Sequence, residues 1–270
     1  MSLVQPFRRR VGGWLPTQLP LANVGWWDAR DVADDVADVA EWDDRTGIYR
    51  IKGFGGLATN NTVQEPAGIA SVEVLGGPLL VTDVATESDI NYPFDASEGI
   101  TIGFVAYDNI NSSFHRAFST LTDAVLFIGN SGGYFAHFFG NGSAWNDTDY
   151  SQNLSADAPT STMGPGDVHV IVVTASPAGC FATFNGTSYN RRGGLGGDKL
   201  TYSGGVADDQ LLFFGNGPGT QLYKGFMNQI VVGQGLLGVD DRQRLEGYLA
   251  QTAGIADLLP VSHPWRTTPI

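Results

Sequence analysis

LLFFG (211–215), NGPG (216–219), LYKGFMNQIVVGQ (222–234) and DDRQRLEGYLAQTAGIADLLPVSHPW (240–265) follow one another near the C-terminal end of a 270-residue chain. The first and third stretches are rich in Phe, Val, Ile and Leu and are punctuated by Gly, Pro and Asn. That is the pattern of short strands joined by turns. After Gly238 the period changes. Asp240 with Gln243 three residues on predicts a capping box. Leu245, Tyr248 and Leu249 then make one apolar helical stripe. Gly254 suits the stop, and Pro260 and Pro264 prevent a restart. The reading is strand, turn, strand, one helix near 240–252, and a pinned tail.

Outward from this region the chain is a procession of short strand candidates. They fall at 69–74, 78–82, 99–107, 125–129, 133–139, 168–174 and 180–185, with a return strand at 187–190 after the hairpin pair Asn185-Gly186. An earlier strand is expected at Asn23–Arg30. Val32, Val36 and Val39 in DVADDVADVAEW (31–42) suggest a helical period, ended by a turn at Trp42-Asp43-Asp44-Arg45-Thr46-Gly47. Short strands at this spacing indicate an all-β, antiparallel two-sheet sandwich. The strands are too apolar for one face to be wet throughout, so an arm, loops or neighbouring subunits must cover part of it.

Several features carry a resemblance to a known family. The ending at 240–265, the opening Trp27-Asp28-Ala29 followed by Trp42-Asp43-Asp44-Arg45-Thr46-Gly47, and HVIVVTASPAGCFATFNGTSYN (169–190) resemble the concanavalin A-like, laminin-G-like jelly-roll domains of bacteriophage tail-fibre and other virion proteins. The resemblance spans roughly 23–265. It implies a jelly roll whose first strand lies beside the strand at 226–233. In that family the segment between the two opening motifs is mostly irregular, which argues against a helix at 31–42. The opening here lacks one residue of the usual Trp-x-Asp-Ala.

Composition narrows the function. There are 36 glycines, 16% charged residues and a net charge of −13. Between Gly53 and Asn190 the sole cation is Arg116, against thirteen Asp and Glu. Such a surface repels phosphate and acidic membranes, so no nucleic acid partner is expected. No apolar run approaches the ~18 residues of a membrane helix, so no membrane insertion is expected. A lone Cys180 forms no internal disulfide and reads as a buried thiol. MSLVQPFRRRVGGWLP has no apolar core behind its basic residues and is not a secretory signal. The expectation is synthesis in a host cytoplasm and residence in a virion. Residues 1–20 read as an N-terminal arm that docks on a virion partner through Phe7, Arg8, Arg9, Arg10 and Trp14, with 21–270 as the sandwich.

No catalytic constellation is legible. The glutamates at 41, 65, 73, 87, 98 and 246 do not form the E-x-D-x-x-E strand of jelly-roll glucanases. Glu246 reads as a helix cap or ion pair. The histidines at 115, 137, 169 and 263 show no metal spacing; His169 begins a core strand and His263 docks the tail. The chain is therefore read as not an enzyme, with a polysaccharide-degrading enzyme as an alternative and a purely structural cement subunit as another. No cofactor is expected. Calcium is a weak option at Asn146, Asp147 and Asp149 or at Asp208 and Asp209, none of which follows a calcium-loop order. Sugar binding has the most suggestive loop, GNGSAWNDTDY (140–150). There Trp145 and Tyr150 offer aromatic faces and Asn146, Asp147 and Asp149 offer hydroxyl partners. An ordinary long loop or a subunit contact is the other reading. Arg191 and Arg192 form a rare cationic spot that could meet acidic polysaccharide or a neighbouring subunit. Tyr107, Asp108 and Asn109 with His115 and Arg116 are a further candidate. By analogy with virion proteins a homo-oligomer, trimer or larger, is expected.

Overall fold

The structure is a computed structural model and describes residues 13–32, 41–53, 63–64, 68–74, 79–83, 94–95, 98–108, 115–120, 126–131, 134–139, 152–153, 168–176, 179–189, 207–209, 211–213, 223 and 225–270. Within them the strands are β1 (Ala22–Asp28), β2 (Glu41–Asp43), β3 (Tyr49–Gly53), β4 (Val63–Gln64), β5 (Ser71–Val74) and β6 (Leu79–Asp83). Next come β7 (Phe94–Asp95), β8 (Ile100–Asp108), β9 (His115–Thr120), β10 (Leu126–Ser131), β11 (Tyr134–Phe139) and β12 (Gln152–Asn153). The last are β13 (Val168–Ser176), β14 (Gly179–Phe184), β15 (Thr187–Tyr189), β16 (Ala207–Asp209), β17 (Leu211–Phe213) and β18 (Gly225–Gln234), followed by helix α1 (Val239–Ala253).

The strands form two antiparallel sheets. One runs β15-β14-β13-β8-β18-β5-β4, and the other runs β12-β11-β10-β9-β17-β6-β3-β2. β18 is the axis of the first. One side of it pairs with β8. The other side pairs with β5 through Gly225–Met227 and with β1 through Gln229–Gln234. The expected neighbourhood of the first strand is thus found, with Trp26 opposite Val231 and Trp27 opposite Ile230.

β18 is buried along its whole length. A strand with no wet face must be covered on both, and alternation in β1 shows by what. Trp27 points between the sheets, its ring against Tyr49 of β3 and Phe213 of β17. Trp26 points the other way and meets Tyr248 of α1 edge-on. In β8, Phe104 touches Phe118 across the sandwich, while Gly103 faces the helix. A Cβ at Gly103 would lie 2.8 Å from Leu245 Cδ2 and 3.2 Å from Leu249 Cδ1, so the glycine lets α1 lie close.

A second core therefore lies between sheet and helix: Trp26, Val105, Val170, Val172, Val231, Leu245, Tyr248, Leu249 and Leu259. Full burial of each such aliphatic side chain contributes about 1.5–3 kcal/mol. Leu19 belongs to this core, and half-buried Trp14 packs on it, edge-on to Tyr248. So the described end of the segment read as a docking arm covers this chain's own helix. Phe7, Arg8, Arg9 and Arg10 lie outside the described residues.

Three local expectations need correction. The helix is capped by Gly238 without a side-chain hydrogen bond, so there is no capping box. Asp240 and Asp241 sit inside the first turn, where their charge opposes the positive end of the helix dipole. At the other end Gly254 takes φ +78° as expected, and the Ile255 N–H reaches the Ala250 carbonyl at 2.8 Å. The turn expected from Trp42 starts later, and the valine period at 31–42 falls mostly outside the described residues. Ala29–Asp31 is a single 3-10 turn and Glu41–Asp43 is a strand, with 33–40 outside the described residues. The chain also has strands that were not foreseen, among them β2, β3 and β9.

Candidate functional site

The sugar-loop residues Trp145, Asn146, Asp147, Asp149 and Tyr150, the pair Arg191 and Arg192, and Asn109 lie outside the described residues. Tyr107 and Asp108 end β8, and His115 and Arg116 begin β9 in the opposite sheet; only their backbones are described. Asp208 and Asp209 lie on β16, which pairs with β7 in a separate two-stranded ribbon. No group of three or more metal-binding side chains occurs among the described residues.

The opening motif builds one corner of the sandwich. Asp44 is buried and accepts the N–H groups of Ile48 and Tyr49, both at 2.9 Å, of Thr46 at 3.2 Å and of Trp26 at 3.5 Å, as well as the Thr46 hydroxyl. These donors fix the turn in which Gly47 adopts φ +75°. Arg45 lies over Trp26 at 4.6 Å and pairs with Asp28 at 3.1 Å and Asp31 at 2.8 Å. Asp28, fully buried, also accepts Arg30 Nε at 2.8 Å. The carboxylates of this corner are therefore engaged.

The closing motif and the central hairpin meet elsewhere. Asn185 (φ +49°) and Gly186 (φ +72°) form the two-residue turn between β14 and β15. The Asn185 side-chain oxygen accepts the Val170 N–H at 2.9 Å, and its amide nitrogen lies 3.1 Å from His169 Nδ1. A Cβ at Gly186 would be 2.9 Å from His263 Cδ2 and 3.1 Å from both Leu259 and Pro260. The turn thus rests on the tail. His263 Nδ1 accepts the Trp265 N–H at 3.3 Å, which leaves the proton on Nε2, 3.0 Å from Glu246 Oε2. The other Glu246 oxygen accepts the Thr183 hydroxyl and lies 3.6 Å from Arg242 Nε.

Chemically this cluster is a lock. Glu246 and His263 are each buried, and the carboxylate stands between the threonine and the imidazole. In a nucleophilic triad the imidazole must stand between hydroxyl and carboxylate to take the proton. The role expected for His263, docking the tail, is what it does here. Glu246 makes its ion pair from inside the core. Sequence reading missed Thr183 and Arg242. The signal was a glutamate set beside Leu245 in the buried stripe, which demands polar partners.

A cleft of about 520 Å³ opens beside the hairpin turn, lined by Ile69, Val168, His169, Asn185, Ile255 and Asp257 among others. Its walls mix aliphatic side chains with the polar His169, Asn185 and Asp257. The one carboxylate among its lining residues is Asp257, which is exposed.

Comparison with family models and with curated proteins finds no match. Solved structures do resemble the chain. Domain 4 of AbnA, a GH43 extracellular arabinanase from Geobacillus stearothermophilus, in complex with arabinotriose, superposes with TM-score 0.55 at 13% identity, covering 84% of this chain and 99% of that domain. Trypanosoma rangeli sialidase in complex with sialic acid gives 0.56 at 13% identity, over 87% of this chain and 34% of the sialidase. The binding domain of botulinum neurotoxin DC in complex with SialylT gives 0.52 at 14% identity, over 87% of this chain and 52% of that one. The chain thus spans a third of the sialidase and about half of the neurotoxin fragment. At this identity the likeness establishes a shared β-sandwich fold.

Proposed function

We propose that this chain is a non-enzymatic, glycan-binding sandwich of a bacteriophage or phage-like virion, displayed on a tail fibre, head spike or capsid decoration as a trimer or larger. The observation that carries the glycan reading is the fold. It is shared with a domain solved in complex with arabinotriose, and with parts of two larger chains solved in complex with sialic acid and with SialylT. The virion reading rests on the resemblance of the opening and closing motifs.

Two features of the structure favour loops as the binding elements. The outer face of the β18 sheet is covered by α1 and the segment around Leu19, which leaves little open sheet there for a ligand. The motif residues are engaged in internal hydrogen bonds. The loop at 140–150, with Trp145, Asn146, Asp147 and Tyr150, and the pair Arg191-Arg192 are then the proposed contacts. Binding without hydrolysis is favoured by the carboxylates. A glycosidase sets two of them roughly 5–10 Å apart across a cleft, whereas the buried Asp28, Asp44 and Glu246 are tied to structural partners.

The test is a glycan-array and host-cell binding assay on the purified protein beside Trp145→Ala and Arg191→Ala. Binding that Trp145→Ala abolishes supports the receptor-binding reading and locates the site. A wild-type protein that binds neither glycan nor cells is a cement subunit. Release of reducing ends from a bound polysaccharide would overturn the non-enzymatic assignment.

A further inference from the structure

On the outer face of α1, Arg244 stands between two half-buried tryptophans from opposite ends of the chain. Its guanidinium carbon lies 5.3 Å from the ring centroid of Trp265 and 5.9 Å from that of Trp14. The Arg244 side chain is 38% exposed. Its nearest described carboxylate, Asp241, is 3.9 Å away and itself 36% exposed, at the outer limit of an ion pair. Arg244 donates no hydrogen bond to any described residue. Contrast Arg45 and Arg30, whose forks are engaged by Asp28 and Asp31. A guanidinium presents five N–H donors in one plane. Here that plane is held beside indoles and open to solvent.

The neighbours fix this placement. Trp14 is set by its edge contact with Tyr248. Trp265 is set by Gly247, where a Cβ would fall 2.2 Å from Trp265 Cβ, and by Gln251 Nε2 donating to the Trp265 carbonyl at 2.6 Å. The tryptophans therefore do not need Arg244 to hold them.

We infer that Trp14, Arg244 and Trp265 form a site for a carboxylated saccharide. A sugar acid carries both features the site can read: a planar carboxylate, which a guanidinium binds through two parallel N–H donors, and C–H faces that pack on indole. Its residues are other than those proposed at 140–150. The inference rests on the proposed glycan-binding role only in its choice of ligand class.

The experiment is calorimetric titration of the full chain with an oligogalacturonate and with sialyllactose. Each is compared with its carboxyl-reduced counterpart, for wild type, Arg244→Gln, Arg244→Lys and Trp145→Ala. The expected result is binding of at least one acid sugar, weakened about tenfold or more in its reduced form and in Arg244→Gln, the scale of one charge-assisted contact. Arg244→Lys should recover binding only in part, because it keeps the charge and loses the fork. Acid-sugar binding that Trp145→Ala abolishes and Arg244→Gln spares would place the ligand at the loop and overturn this site. Acid and reduced sugars bound alike, no acid sugar bound, or Arg244→Gln lowering only the melting temperature would each overturn the site. Loss of neutral-glycan binding in Trp145→Ala with no acid binding would sink this site and leave the loop reading standing.

Discussion

Removing either member of the Glu246–His263 pair should cost a large part of the protein's stability. Glu246 is 1% exposed, and three groups compensate its charge: the Thr183 hydroxyl, His263 Nε2 at 3.0 Å and Arg242 Nε at 3.6 Å. In His263→Ala the carboxylate keeps two of the three but loses its donor on one oxygen. The Gly186 turn also loses the ring it rests on. Losing a hydrogen bond to a buried charged group costs about 1.5–3 kcal/mol. The packing lost with the ring brings this variant to about 3 kcal/mol. Glu246→Ala leaves the imidazole N–H without its acceptor and takes the carboxylate from the Thr183 hydroxyl and Arg242, for a similar loss. For a chain of 270 residues the unfolding entropy near 60 °C is about 0.57 kcal/mol/K. Each single variant should then melt about 5 °C lower. The informative quantity is the double variant. If the two side chains act on each other, the double should cost less than the sum of the singles by about 1.5–3 kcal/mol. Urea unfolding followed by circular dichroism supplies all three values. Tryptic cleavage after Arg266, read by mass spectrometry, reports whether the tail has come loose. Singles that add to within about 0.5 kcal/mol, or cleavage unchanged in His263→Ala, would refute the lock.

Two other outcomes follow from the helix–sheet core. Burial pushes the Tyr248 phenol up to about 12, only partly offset by the nearby Arg45 cation. The folded state thus keeps this proton to higher pH than the unfolded chain, whose tyrosines ionise near pH 10. The associated stability is complete below pH 10 and falls on the order of 2–3 kcal/mol as pH rises towards 12. Urea midpoints measured across that range should show the fall in wild type and less of it in Tyr248→Phe. Gly103→Ala places a methyl group 2.8 Å from Leu245 Cδ2, which forces α1 outward and should cost about 1–3 kcal/mol in the same assay; an unchanged midpoint would mean that the helix lies farther from β8.

Legibility in the sequence followed the strength of local patterning. β8, β13, β14 and β18 are apolar runs bounded by turn residues, and each lies within a residue or two of its expected place or, for β18, inside a longer expected run. Asn185-Gly186 demanded a hairpin because both residues adopt positive φ. β2 and β3 were illegible because they sit at a sheet end and carry charge. Arg50 is opposite Asp43 and pairs with Glu41 at 2.8 Å; Tyr49 and Ile51 do alternate with Arg50 and Lys52, but two apolar residues in YRIKG and one in EWD are too few to stand out as a period. The cap was misread for a local reason. Asp240 has the right chemistry, but Gly238 takes the extended backbone of the cap position and leaves the aspartate two residues too deep. The two-faced burial of the β18 sheet could be inferred from composition. The identity of its cover, this chain's own α1, Leu19 and Trp14, could not, because neither a helical stripe nor a stray tryptophan names the surface it meets.

The residues that make the family resemblance legible are also the ones with least chemistry to spare. Asp44, Asp28, Glu246 and His263 stand in quotable motifs, and each has its oxygens or ring nitrogens engaged within the fold. A carboxylate that already accepts several donors offers little to a sugar hydroxyl, and a buried one cannot be reached. Motif membership in this chain therefore points to assembly of the sandwich. A binding residue should show the opposite signature: accessible, positioned by its neighbours, and with donors left over. Among the described residues Arg244 has that signature although it stands inside the closing motif at 240–265, so the engagement of the side chain, and not motif membership alone, decides the role.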